Sequence, residues 1–181
     1  MFGLAGKWKW RRPDPLTRLA KSIEAIGERD RSLLNESTQV DRLRTEGALA
    51  LHGLCRRFVD MLNTQLSAPA LQLDPPDYSA GYYHDSGINL FQINLRGRLL
   101  QIEFTATEEL YSTEEFRLPY ILEGAIRSYS QQSLERDTLD EQAIFCCPRN
   151  GALSWHYFDY RTYGTGLVTP EFFATEMQRL I

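Results

Sequence analysis

"GINLFQINLRGRLLQIEFTAT", residues 87–107, decides the fold. Ile88, Leu90, Gln92 and Asn94 alternate with Asn89, Phe91, Ile93 and Leu95. That is the period of two imposed by a strand, whose successive side chains point to opposite faces. Arg96-Gly97 supplies a turn, and Leu100, Ile102 and Phe104 resume the alternation on the way back. The stretch is an antiparallel hairpin, and it places the chain among folds with a sheet.

Working outward toward the C-terminus, "EELYSTEE" at 108–115 reads as an acidic, solvated loop, with Glu108, Glu109, Glu114 and Glu115. "EFRLPYILEGAIRSYS" at 115–130 alternates again, and its Pro119 and Gly124 imply an edge position, a bulge or strong bending. "QQSLERDTLDEQ" at 131–142 is polar, with room for a helical turn. "AIFCC" and "LSWHYFDY" form a second hairpin around "PRNG". "TPEFFATEMQRLI" closes the chain as an amphipathic helix: Thr169 is the N-cap, Pro170 sits at N1, and Phe172, Phe173, Met177 and Leu180 face inward.

Upstream of the hairpin, "SAPALQLDPPDYSAG" at 67–81 has three prolines and reads as a loop. Before it the period is helical. Positions Leu16, Leu19, Ile23, Ile26, Asp30, Leu33, Ser37, Val40, Arg44, Gly47, Leu51, Leu54, Phe58, Met61 and Gln65 keep an unbroken 3–4 spacing. This predicts one long helix, or two broken near "LLNEST" at 33–38, where helix propensity is weakest. Roughly 50 helical residues would span about 75 Å, more than a domain of this size is wide. Residues 16–34 carry a narrow apolar stripe among charges, which suits a helix–helix seam; residues 47–66 are apolar on more than one side, which suits packing on a sheet. The expected fold is α+β: a long N-terminal helix on a curved antiparallel sheet of about five strands, with a short C-terminal helix. The expected division is a basic, Trp-containing flexible tail at 1–15, a projecting heptad segment at 16–36 and a single domain at 37–181.

Composition limits the functional classes. The net charge of −4 divides unevenly: the first twelve residues carry +4, which leaves −8 on the remainder. An acidic body disfavours a broad nucleic-acid face. The basic tip, Lys7, Trp8, Lys9, Trp10, Arg11 and Arg12, could make a small contact with an anionic surface, either a membrane or nucleic acid. Three cysteines, two of them adjacent, make a poor disulfide framework and favour a reducing, cytoplasmic setting. The chain has no run of about eighteen apolar residues, and in "MFGLAGKWKWRR" the charges follow the apolar residues, the reverse of a signal peptide.

Candidate chemistry is sparse. Adjacent strand cysteines point to opposite faces and cannot both grip one ion. Cys55 with His52, one helical turn apart, and a sheet cysteine could at most supply three ligands. "DPPDYSAGYYHDSG" at 74–87 gathers Asp74, Asp77, His84 and Asp85 with Tyr78, Tyr82 and Tyr83, yet matches no metal-loop spacing and contains what turns require. Phosphate-loop, dinucleotide, nucleophile-elbow and zinc-helix motifs are missing, so no catalytic residue, metal or cofactor is expected.

Two readings remain. The first is a non-enzymatic protein–protein interaction module (an adaptor, chaperone or regulatory subunit) that contacts a protein partner or a second copy through Leu16, Leu19, Ile23, Ile26 and Leu33. The alternative is a small-molecule-binding domain or enzyme whose cavity lies between sheet and helix, lined by His156, Tyr160, Tyr120 and Cys146 or Cys147.

Overall fold

A computed structural model describes residues 14–130, 140–149 and 152–181. The chain divides into two compact units between Gln39 and Val40. Helix α1 runs without a break from Pro15 to Gln65, so "LLNEST" does not interrupt it. Seven strands follow: β1 (Leu71–Asp74), β2 (Asn89–Leu95), β3 (Arg98–Tyr111), β4 (Tyr120–Tyr129), β5 (Asp140–Arg149), β6 (Ala152–Asp159) and β7 (Gly164–Leu167). Helix α2 (Pro170–Gln178) closes the chain. The strands form a single antiparallel meander in sequence order. The α+β architecture is as expected, with seven strands where five were read.

The hairpin that decides the fold has the anticipated register. Leu95 faces Arg98, Asn89 faces Phe104, and Arg96 and Gly97 both take positive φ, at 49° and 86°. Such a two-residue turn matches the twist of the flanking strands. Phe91, Ile93, Leu100, Ile102 and Phe104 are fully buried, whereas Ile88 and Leu90 face solvent.

The two added strands lie at the sheet's edges. β1 falls inside the proline-rich stretch; Asn63 of α1 pins its start by donating to Leu71 O and accepting from the N–H groups of Ala70 and Leu71, at 2.9–3.0 Å. β7 is the short Gly164–Leu167 segment, paired only with β6. β3 reaches Tyr111, so all of "EELY" is strand rather than loop, and an irregularity in the β3–β4 ladder falls between Ala106 and Tyr111. β4 is an interior strand, not an edge. In the second hairpin Pro148 pairs with Leu153 and Arg149 with Ala152, so the first two residues of "PRNG" belong to β5. The helical turn considered within 131–142 falls on 131–139, outside the described residues; 140–142 are strand.

Within the unit from Val40 onward, α1 packs on one face of the sheet. Its buried residues are Arg44, Gly47, Ala48, Leu51, His52, Cys55, Phe58 and Val59, a stripe two residues wide at helical spacing. The heptad positions do not all stay inside: Leu54 is half-buried and Met61 is exposed, while Cys55 and Val59 turn inward. A repeat of 3.5 drifts by about 20° per heptad on an α-helix. The core then follows the 3.6 period of the helix rather than the 3.5 period of the sequence.

Gly47 brings α1 into close contact with the sheet. A Cβ there would meet Cys146 Sγ at 2.8 Å and Leu122 Cδ1 at 3.1 Å. The Trp155 indole N–H donates to Gly47 O at 2.8 Å. Beyond it the core runs through Phe91, Phe104, Ile126 and Ile144 to Phe173 and Met177 of α2. Thr169 caps α2 as expected, accepting from Phe172 N at 3.3 Å, with Pro170 in the first turn.

Replacing Gly47 by Ala should lower unfolding free energy by about 1–3 kcal/mol, the cost of overpacking, despite Ala's better helix propensity. In a Cys146→Ala background, which removes the sulfur, that cost should shrink. Urea denaturation of the four proteins in the cycle measures it; an unchanged cost would show that the sulfur contact is not the cause.

Candidate functional site

Two surfaces follow from the expected site residues. The first is the N-terminal half of α1. Leu16, Leu19, Ile23 and Ile26 are 73, 57, 60 and 60 % exposed. They recur at 3–4–3 spacing, so they share one face. Between and beside them Ala20 is exposed and Gly27 is half-buried, and a Cβ at Gly27 would meet nothing within 4 Å. Arg18, Lys21, Glu24 and Glu28 supply exposed charges of both signs. The side chain of Leu33 and residues 7–12 (Lys7, Trp8, Lys9, Trp10, Arg11 and Arg12) lie outside the described residues.

The second surface is the β5–β6 hairpin. Its register places Cys146 opposite Trp155, Phe145 opposite His156, and Cys147 opposite Ser154. Trp155 is buried under α1, so Cys146 faces the helix and His156 faces away from it. A cavity between sheet and helix next to His156 is therefore ruled out by strand alternation. The residues gathered for it split: Cys146 enters the core under α1, whereas Tyr120 and Cys147 join Phe116, Ala143, Phe145 and Phe158 in a second cluster on the far face. Phe116, carried by the β3–β4 connection, stacks on Phe145 at 4.3 Å and lies 6.2 Å from the His156 ring. Tyr120 packs on Phe145 at 4.6 Å. Tyr160 is exposed, with its ring edge-on to Phe158 at 4.9 Å.

Electrostatics on this hairpin oppose nucleophilic chemistry. Burial pushes the thiols of Cys55 and Cys146 well above the ordinary range and that of Cys147 to about 12. An activated cysteine needs the reverse shift. His156 Nε2 is 3.0 Å from Ser154 Oγ on its own strand. Burial, then the positive charge of Arg149, lowers its pKa and favours the neutral ring.

The remaining motifs are occupied structurally. His52 Nε2 lies 2.9 Å from Pro75 O, and its ring stacks on Tyr78 at 5.4 Å. Asp77 pairs with Arg56 at 3.1 Å. Tyr83 donates to Asp85 at 3.1 Å, while the backbone N–H of His84 donates to Asn89. Among the described residues, no group of three or more His, Cys, Asp or Glu side chains is placed to hold a metal ion, and no helix is long and apolar enough to cross a membrane.

Sequence reasoning passed over Arg44, a charge at a heptad position. It is buried, donates to Thr107 O and lies 3.4 Å from both Asp41 and Asp85. It lines a cleft of about 580 Å³ with Asp85, Ser86, Thr105 and Glu108. A long basic residue in an apolar seam was the available signal. No protein-family model, curated protein or solved structure matches this chain.

Two outcomes follow from these shifts. At about pH 8, Ellman's reagent should leave all three buried thiols unreacted in the native protein and titrate three after denaturation; rapid reaction of any one would contradict its burial. For His156 the folded-state pKa lies below the unfolded value of about 6.5, so the unfolded chain takes its proton first as pH falls. Stability due to this group is complete above about pH 6.5 and is lost as pH falls toward the folded-state pKa. Thermal melts should therefore decline less steeply between about pH 7 and pH 5 in His156→Gln than in the wild type; identical slopes would exclude His156 as the source.

Proposed function

We propose that this chain is a non-enzymatic protein–protein interaction module, that its contact surface is the N-terminal half of α1, and that this surface pairs with a second copy of the same chain. One observation supports the reading: four large aliphatic side chains, Leu16, Leu19, Ile23 and Ile26, lie exposed on consecutive seam positions of a continuous helix. Single exposed aliphatics are ordinary, but an aligned row is a contact surface in waiting. Helices of this kind draw most of their stability from packing an amphipathic face.

The spacing favours another helix over a sheet or a globular pocket. A strict 3–4 repeat is the geometry of knobs-into-holes packing, in which each seam is the complement of its own kind. Ala20 and Gly27 beside the seam are small enough for close approach. An antiparallel arrangement that sets Leu16 opposite Ile26 and Leu19 opposite Ile23 brings Arg18 of one copy beside Glu24 of the other. The alternative seat beside His156 has no comparable support, because Phe116, Tyr120 and Phe145 fill that face.

Sedimentation equilibrium tests the proposal. The full-length protein should form dimers at about 100 µM, and Leu19→Lys/Ile26→Lys should be monomeric. The melting temperature of the variant, measured where the wild type is also monomeric, should be unchanged, since neither residue belongs to the core. A wild type that is monomeric throughout, or a double variant that still dimerises, overturns the pairing.

A further inference from the structure

The β3–β4 connection, residues 112–119, is held to the sheet face opposite α1 by one buried side chain. Phe116 is 4 % exposed, and every other residue of the segment is exposed. Its ring stacks on Phe145 at 4.3 Å and 20° from parallel, and lies 5.9 Å from the ring of Tyr120. With Ala143, Cys147 and Phe158 these rings form a cluster separate from the core under α1. Small satellite clusters of this kind are what long connections cover.

The backbone of the connection is tied only to itself. Past Ala106 and Leu122 the β3–β4 ladder shifts register, and the pair Tyr111–Tyr120 closes it. Pro119, beside that pair, has no N–H to donate. Among the described residues, the hydrogen bonds of 112–119 stay within the segment: the Thr113 N–H donates to Phe116 O and the Phe116 N–H donates to Thr113 Oγ1, both at 2.9 Å. These bonds shape a turn that presents Phe116 inward, but they do not fasten the turn to the sheet. A segment with few buried contacts and no ladder bonds opens at a small fraction of the global unfolding free energy. Its opening leaves the core under α1 intact, because Phe116 has no part in that core.

We propose that residues 112–119 form a strap that lifts and recloses as a unit while the sheet stays folded, with Phe116 as its latch, and that lifting uncovers a slot floored by Phe145 and edged by Tyr120, Cys147 and His156. The closed strap is the state in which the phenyl ring of Phe116 fills this slot, 6.2 Å from the His156 ring. The device lies on the opposite face of the sheet from α1 and does not depend on the helical seam.

The three cysteines test it from within. Cys147 lies in the cluster under the strap, whereas Cys55 and Cys146 lie in the core under α1. Prolonged alkylation of the full-length protein with iodoacetamide, read at each thiol by tandem mass spectrometry, follows the opening that exposes it. Below the unfolding transition Cys147 should react about tenfold faster or more than Cys55 and Cys146. Its rate should stay nearly flat in urea while theirs climb, since lifting a strap exposes far less surface than unfolding. Phe116→Ala removes the latch and should raise the Cys147-to-Cys55 rate ratio by about tenfold. Thr113→Ala, at an exposed position, removes the acceptor that shapes the turn and should raise the ratio by about threefold.

Equal rates and equal urea slopes for the three thiols would mean that Cys147 is reached only by global unfolding, and would overturn the proposal. So would an unchanged ratio in Phe116→Ala, which would assign the exposure to fraying at the β5–β6 turn. Alkylation of wild-type Cys147 as fast as in the urea-unfolded chain would show that the strap does not close, and overturns it too. Should Phe116→Ala fail to fold, the ratio in Thr113→Ala decides alone.

Discussion

Everything in the larger unit depends on how closely α1 approaches the sheet at Gly47. There the Trp155 indole donates to a helix carbonyl, and Cys146 Sγ occupies the space a Cβ would need. The contact is apolar on one side and hydrogen-bonded on the other, so it fixes both distance and direction. A strand has only two faces, so Trp155 turned toward α1 sends His156 away from it, and Cys146 turned inward sends Cys147 outward. The chemistry of the hairpin is settled by that single choice. A thiol against the helix is desolvated, its neighbour is sealed under Phe116 and Phe145, and no cysteine has the polar, cationic surroundings that make a thiolate.

From this contact the core extends in two directions and ends differently at each. Toward Thr107, α1 finishes its packing with Arg44, whose guanidinium ties the helix to the β3 backbone and to Asp85. Toward Leu100 and Ser128 the first helix gives way to the second: Phe58 meets Phe173 at 5.8 Å, and Arg98 donates to Leu180 O at 2.8 Å. Both ends are polar, and each leaves an atom without a partner. Two carboxylates and a carbonyl surround Arg44, whose Nε is unpaired, and the α2 end sets the Glu176–Arg179 pair beside the unpaired Oε1 of Gln142. An α2 built from apolar residues alone would have closed the core at less cost than one that buries Glu176.

The parts of this fold legible in the sequence are those where local pattern and tertiary packing agree. The 89–104 hairpin carries alternation and a turn pair that positive φ explains; α2 carries its own cap, its proline and its buried face. The two edge strands were not legible. Leu71–Asp74 sits among prolines and Gly164–Leu167 carries two glycines, so neither has strand propensity, and both exist because a neighbour offers a free ladder. Pro148 misled for a related reason: it reads as a turn residue yet lies within β5. The heptad series misled in a subtler way, since Met61 obeys the repeat and is exposed, while Cys55 and Val59 break it and are buried.

The two candidate surfaces differ in whether their exposure depends on strand register. Exposure of the narrow stripe could be anticipated from charges around Leu19 and Ile23, because a helix face is a local property. The neighbours of His156 could not, because one residue of slip in the hairpin exchanges Phe145 for a cysteine. Gln142 and Glu176 were invisible for a third reason. Each stands among polar residues or on a short helix where one glutamate in a turn is unremarked, and only the packing of α2 on β5 and β6 buries them together.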